Sequence, residues 1–167
     1  VTAVTGFDAL SHAVEAYTTN CTNPKADILT LEVMRLVAGN LEKACEDGRD
    51  LEARTNLSLA SNLAGMAFND AFLHFGHAIA HELGSVFHIP HGAVCALTIP
   101  EVIRFSSDVA PERTYKMAGA LGAAVPVGAT SVEAGELAAA HVRRLMKKLG
   151  IKSLSEQGIS PEDAMNC

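Results

Sequence analysis

Residues 23–48, NPKADILTLEVMRLVAGNLEKACEDG, indicate how this chain folds. Apolar side chains recur there every three or four positions, which is the spacing of one face of an α-helix. Asn23 and Pro24 form a typical helix start, and Gly48 follows where such a helix would end. The stretch therefore predicts one long amphipathic helix, whose apolar stripe contains Leu29, Val33, Leu36, Val37 and Leu41.

The same periodicity runs through most of the sequence and predicts six further helices. Thr5 is a candidate cap for the first, and Thr130 with Glu133 forms a capping-box pattern for the last. Residues 1–4 are the exception, and we expect an extended lead-in or the remnant of a strand there. The remaining expected helices occupy about 50–69, 71–86, 94–105 and a segment from residue 111 to the loop at 122–128. The sequence thus predicts an all-α helical bundle.

Composition narrows the class of protein. The chain has 167 residues, 49% of them apolar and 19% charged, which is enough for one well-buried domain. Its net charge of −6, without a large basic block, argues against nucleic acid or an anionic membrane surface as a partner. No uncharged apolar run reaches the length of a transmembrane helix, so we expect no membrane partner.

The four cysteines are widely spaced and form no C-x-x-C pair. This spacing argues against a zinc knuckle or a thioredoxin-type site. We therefore expect reduced, mostly buried thiols and a cytoplasmic protein.

Histidine is concentrated in one segment, since five of the seven histidines lie within residues 74–91. His77 and His81 are four residues apart on a predicted helix, and Asp8 and His12 have the same spacing on another. Each pair alone is more often a hydrogen-bonded pair than a metal site. Two pairs in one helical domain favour a metal site, and imidazoles with one carboxylate suit Zn²⁺ or Fe²⁺ better than Mg²⁺ or Ca²⁺.

Two stretches identify a family that this sequence resembles. Residues 5–17, TGFDALSHAVEAY, resemble the first metal-ligand motif of the iron-containing, or group III, alcohol dehydrogenases. Residues 76–84, GHAIAHELG, followed by residues 89–92, IPHG, resemble the second. Order, spacing and flanking residues all agree, and the similarity extends over the whole chain.

The resemblance implies a fold and a set of site residues. The fold would be the helical C-terminal domain shared by these enzymes and dehydroquinate synthase-like proteins. The metal, Fe²⁺ with Zn²⁺ in some relatives, would be held by four ligands, namely Asp8, His12, His77 and His91. His81 would lie close to the nicotinamide and the substrate as a catalytic residue.

The resemblance also implies hydride transfer between a small alcohol or aldehyde and NAD or NADP, in a homo-oligomeric enzyme. Family members carry a glycine-rich cofactor-binding half, and this sequence contains no G-x-G-x-x-G pattern. We therefore expect residues 1–167 to be an incomplete metal-binding domain that lacks the N-terminal cofactor-binding domain and the last helices, and to be inactive alone. Cofactor-binding residues stay unknown. Two alternatives remain open, a non-catalytic helical metal-binding or assembly module and a glycerol dehydrogenase-like zinc enzyme.

Overall fold

A computed structural model describes residues 1–21 and 23–167, and these residues form helices and no strand. The all-α prediction is confirmed. None of the helices in the described part of the chain has both the length and the apolar composition needed to cross a bilayer. The helices are α1 (Thr2–Thr18), α2 (Pro24–Glu46), α3 (Leu51–Ala71), α4 (Phe75–Phe87), α5 (His91–Val109), α6 (Pro111–Ala120), α7 (Ser131–Lys148) and α8 (Pro161–Met165), with a 3₁₀-helix at Ser155–Gln157.

Helix α1 lies at the centre of the bundle, where it packs against α2, α3 and α5. It is buried on most of its circumference, and Phe7, Leu10 and Val14 have almost no exposed surface. A helix that is apolar nearly all round belongs in the interior of a bundle. Polar side chains on α1 are therefore held in a defined, largely dry environment.

The start of the chain differs from the prediction of an extended segment at residues 1–4. Helix α1 already begins at Thr2, and the hydroxyl of Thr5 donates to the carbonyl oxygens of Val1 and Thr2 within its first turn. Thr5 is therefore a residue inside the helix and not its cap. The β-branched residues here favour strand as isolated side chains, but packing of the following Gly6 and Phe7 in the core overrides that preference.

The junction of α3 and α4 also differs from the prediction of a helix starting at Ala71. Helix α3 ends at Ala71, and Phe72 follows with φ of 62°, in the left-handed region. The chain re-enters helix only at Phe75. This break frees the backbone N–H of His74 to donate to the carboxylate of Glu15 at 2.8 Å, which fixes the start of α4 against α1.

Candidate metal centre

Four side chains from three helices converge beside the middle of α1. They are Asp8 on α1, His77 on α4, and His91 and Cys95 on α5, and their potential ligand atoms all lie within 4.8 Å of one another. His77 and Cys95 are buried, whereas His91 is exposed. The group thus has a buried floor and a side open to solvent.

Close packing of α5 on α1 brings this group together. His91 is the first residue of α5, and Cys95 follows one turn later on the same face. Gly92 lies so close to α1 that a Cβ there would be 2.8 Å from the carbonyl carbon of Val4 and 3.2 Å from Cβ of Asp8. Only glycine fits this approach, which places the His91 Nε2 atom 3.4 Å from Oδ1 of Asp8.

Glu15 orients His77 from behind. Its Oε1 atom lies 2.6 Å from Nδ1 of His77, and the Glu15 side chain is 1% exposed. Because a carboxylate only accepts, this contact places a proton on Nδ1 and leaves Nε2 as the ring atom that could bind a metal. That Nε2 atom is 3.8 Å from Oδ1 of Asp8. A histidine held by a carboxylate in this way is the usual arrangement behind a metal ligand.

Two further contacts fix Glu15 itself. Its Oε2 atom accepts the backbone N–H of His74 at 2.8 Å. A Cβ on Gly76 would lie 2.6 Å from its Oε1 atom, so glycine is needed where the carboxylate meets α4. Glu15 was not among the site residues predicted from the sequence. The available signal was a single acidic residue within the otherwise apolar run of residues 13–17.

The charges within the group are strongly coupled. Burial would raise the pKa of Asp8, but contact with the imidazole of His77 and the nearby imidazole of His12 hold that pKa below its ordinary value. Burial likewise disfavours a charged His77, yet the hydrogen-bonding groups around it, Asp8 first among them, raise its pKa to about 11. Burial also would raise the pKa of Glu15, and its contacts with His77 and His74 lower it. Asp8 and Glu15 thus both stabilise a positive charge on His77, which lies between them.

The donor set fits a transition metal. Oδ1 of Asp8 is buried and makes no hydrogen bond of normal geometry within the described residues. A buried carboxylate oxygen without a partner is costly, and a cation bound between it and the imidazoles would remove that cost. Nitrogen and sulfur donors with a single carboxylate suit Zn²⁺ or Fe²⁺ rather than Mg²⁺ or Ca²⁺.

His12, the remaining predicted ligand, lies beside the group and not within it. Its Nδ1 atom is 2.7 Å from the backbone oxygen of Asp8, so that nitrogen donates within α1. Its ring packs between Phe68 and His77, with centroid distances of 4.6 and 4.4 Å. Burial holds its pKa below the ordinary value for histidine, so the ring is neutral near pH 7.

His81, the predicted catalytic residue, stands at the open side. It is exposed, and its ring centroid lies 5.9 Å from that of His77 and 5.2 Å from that of His91. It follows His77 by one turn of α4, so the two imidazoles share a helix face. The structure thus places His81 next to the group, where a bound small molecule would contact it.

Comparison with known proteins agrees with this geometry. The family model described as "Fe-containing alcohol dehydrogenase family, C-terminal" matches residues 2–167. This chain belongs to the iron-containing alcohol dehydrogenase family. It is 41% identical over 164 residues to the 1,3-propanediol dehydrogenase of Klebsiella pneumoniae, covering 98% of this chain and 42% of that protein.

Two other members of the iron-containing alcohol dehydrogenase family are similar to nearly the whole of this chain. The NADPH-dependent butanol dehydrogenase of Clostridium saccharobutylicum is 40% identical over 167 residues, covering 99% of this chain and 42% of that protein. The structure of an alcohol dehydrogenase from Oenococcus oeni superimposes with a TM-score of 0.91 at 37% identity, covering 98% of this chain and 43% of that one. The chain thus spans about 42% of the length of the curated relatives it matches.

Proposed function

We propose that this chain forms the metal-binding part of an NAD(P)-dependent alcohol dehydrogenase that interconverts small alcohols and aldehydes. One observation carries the proposal: in a member of the iron-containing family, an unpartnered buried oxygen of Asp8 faces the imidazoles of His77 and His91. Fe²⁺ is the metal that the family name favours, with Zn²⁺ as the alternative. A divalent ion bound there would supply Lewis-acid polarisation of the substrate oxygen.

The residues of this chain prepare the site for that chemistry. Asp8 contributes one negative charge, which leaves a site containing a divalent ion net positive and favourable to an alkoxide. Glu15 keeps the Nδ1 proton of His77 in place, so that the Nε2 lone pair points into the group. The buried floor excludes water on one side, while His91 marks the side from which substrate enters.

His81 is proposed as the residue that contacts the substrate and holds or moves a proton. It is exposed beside the group, and an imidazole can both accept and donate a proton. His12 remains a proposed fourth ligand, because its Nε2 atom makes no hydrogen bond within the described residues. The hydride itself comes from or goes to the nicotinamide, which the protein only positions.

A chimera tests this assignment. The part of the Klebsiella pneumoniae relative outside the matched region is joined to residues 1–167, loaded with Fe²⁺ or Zn²⁺ without oxygen, and assayed for alcohol-dependent reduction of NAD⁺ and NADP⁺. We expect turnover by the chimera, and none by residues 1–167 alone or by the chimera carrying Asp8→Ala. A folded, metal-loaded chimera without turnover would contradict the proposed activity.

Two further expectations stay predictions. We expect the enzyme that contains this chain to be a homo-oligomer, which sedimentation of the chimera can measure. We also expect it to be cytoplasmic, since the four cysteines are free thiols in the structure.

A further inference from the structure

We propose that His74 is a positioning residue of the metal site: hydrogen-bonded to Thr18 through its ring, it holds Glu15 in place. Glu15 in turn orients His77 toward the ion. His74 and Thr18 both lie outside the two metal-ligand motifs, which cover residues 5–17 and begin again at residue 76. The inference rests on the proposed function, because it concerns the same site.

The start of α4 is attached to α1 mainly by polar contacts. Helix α4 packs chiefly on α5 and has little contact with α1. Its buried apolar residues Ala80 and Leu83 belong to a cluster that it shares with α5. The separation of His77 on α4 from Asp8 on α1 therefore depends on the few side chains that join these two helices.

His74 is bonded to α1 at two points. Its backbone N–H donates to Oε2 of Glu15 at 2.8 Å, and its ring Nε2 lies 2.9 Å from Oγ1 of Thr18. The Thr18 hydroxyl donates its single proton to the carbonyl oxygen of Val14 at 2.8 Å, so it accepts the Nε2–H of His74. The Nδ1 atom of His74 is 3.6 Å from Oε2 of Glu15, which is too long for a hydrogen bond. The ring therefore acts on Glu15 through the backbone that it holds in place.

The backbone just before His74 is strained, which shows that this segment is held firmly. Phe72 has φ of 62° and ψ of 175°, a combination that essentially only glycine adopts. The Phe72 side chain is 63% exposed, so its own packing does not explain the conformation. Strain of this kind persists only where surrounding contacts enforce it, and the two bonds of His74 supply such contacts two residues later.

Glu15 transmits this anchoring to His77. The Glu15 side chain is 1% exposed, and its two oxygens accept from the backbone N–H of His74 and from Nδ1 of His77. A buried carboxylate that loses one of its donors moves toward another partner, because an unpaired buried charge is costly. Displacement of His74 would thus disturb the 2.6 Å contact that orients His77. Contacts of this type behind a ligating histidine control metal affinity.

Titration of Co²⁺ into residues 1–167, followed by the visible absorption bands of the bound ion, tests this role. Thr18→Val removes the acceptor with little change of shape, and His74→Ala removes the ring but keeps the backbone N–H. We expect each to lower Co²⁺ affinity about two- to tenfold, the effect of losing one ordinary hydrogen bond, because metal binding must then order the segment itself. Thr18→Ser keeps the hydroxyl and should retain native affinity. The matched control is Thr5→Val, which removes another α1 hydroxyl bonded to the backbone of its own helix and should leave affinity unchanged.

Combined variants separate a positioning role from a general loss of stability. Thr18→Val and His74→Ala together should lower affinity no more than either alone, because both remove the same bond. Thr18→Val should have no further effect on affinity in a Glu15→Ala background, because the ring acts through that carboxylate. A purely structural role would instead give losses that add in both combinations.

The possible results lead to different conclusions. If native protein binds Co²⁺ and both single variants bind it equally well, His74 has no positioning role and the proposed function is unaffected. Additive losses, or an equal loss in Thr5→Val, also overturn the role. Native protein that binds no Co²⁺ overturns both proposals. If circular dichroism shows that His74→Ala does not fold, the comparison of Thr18→Val with Thr18→Ser decides by itself.

Discussion

Replacement of Gly92 by alanine would show how tightly the approach of α5 to α1 controls the metal group. The added Cβ would lie 2.8 Å from the carbonyl carbon of Val4, whereas ordinary contacts begin at 3.4 Å. Relieving the contact with the carbonyl carbon alone requires the two helices to separate by about 0.6 Å, and the carbonyl oxygen of Val4, which lies nearer still, requires more. A backbone carbonyl cannot rotate aside as a flexible side chain would, so the strain falls on the helix pair.

The close contact between Gly92 and α1 determines how much free energy of unfolding the Gly92→Ala substitution loses. Overpacking of a core typically costs about 1–3 kcal/mol, and contact with backbone places Gly92→Ala at the upper end. Alanine also stabilises the helix by up to about 1 kcal/mol, because its helix propensity is higher than that of glycine. The net loss in free energy of unfolding is about 2 kcal/mol, which corresponds to a melting temperature lower by about 4–8 °C for a chain of this size. The gap between Asp8 and His91 should also open, which weakens metal binding.

Thermal and urea unfolding followed by circular dichroism measures this change, first with a chelator and then with Co²⁺. Gly65→Ala is the matched control, because a Cβ at that α3 position has no neighbour within 4 Å. The control should gain about 0.5–1 kcal/mol from helix propensity. If Gly92→Ala melts at or above the native temperature while the control behaves as expected, the close-approach argument is wrong.

Four other substitutions test separate parts of the structure. Glu15→Gln loses the charge that orients His77, and we expect metal affinity in equilibrium dialysis to fall by about 10–100-fold; unchanged affinity would show that the contact is not needed. His77→Ala should remove bound metal, whereas His81→Ala should mainly lower turnover of the chimera; equal metal loss in both would exchange their roles. Arg113→Lys breaks a guanidinium–carboxylate pair with Asp27, at 2.7 and 2.9 Å. Urea unfolding should show a loss of about 1–2 kcal/mol with unchanged metal binding, and a loss below about 0.5 kcal/mol would mean that lysine replaces the pair fully.

The fold could be predicted largely from the spacing of apolar residues. The stripe in α2 and the Thr130 capping box gave helix positions that the structure confirms. The errors at residues 1–4 and at Ala71 have a common cause. In both places local preference is overridden by packing between α1 and other parts of the chain, and such contacts between distant segments leave no periodic signal in the sequence.

Part of the candidate site could also be predicted from the spacing of residues along the sequence. Motif spacing places Asp8 and His77 on helix faces, the family resemblance adds His91, and the structure brings these three together. The sequence could not show that Nδ1 of His12 donates to a backbone oxygen within its own helix. Cys95 was interpreted as one of the buried core thiols, although its position one turn after His91 was the available sign. Glu15 became recognisable only once α4 was placed against α1.

Whether a metal binds between Asp8, His77 and His91 can be measured by anomalous diffraction at the metal absorption edge, from crystals of residues 1–167 grown without oxygen and with Fe²⁺ or Zn²⁺. We expect one strong peak within bonding distance of Oδ1 of Asp8 and the Nε2 atoms of His77 and His91. A peak elsewhere, or none at a saturating metal concentration, would contradict this expectation.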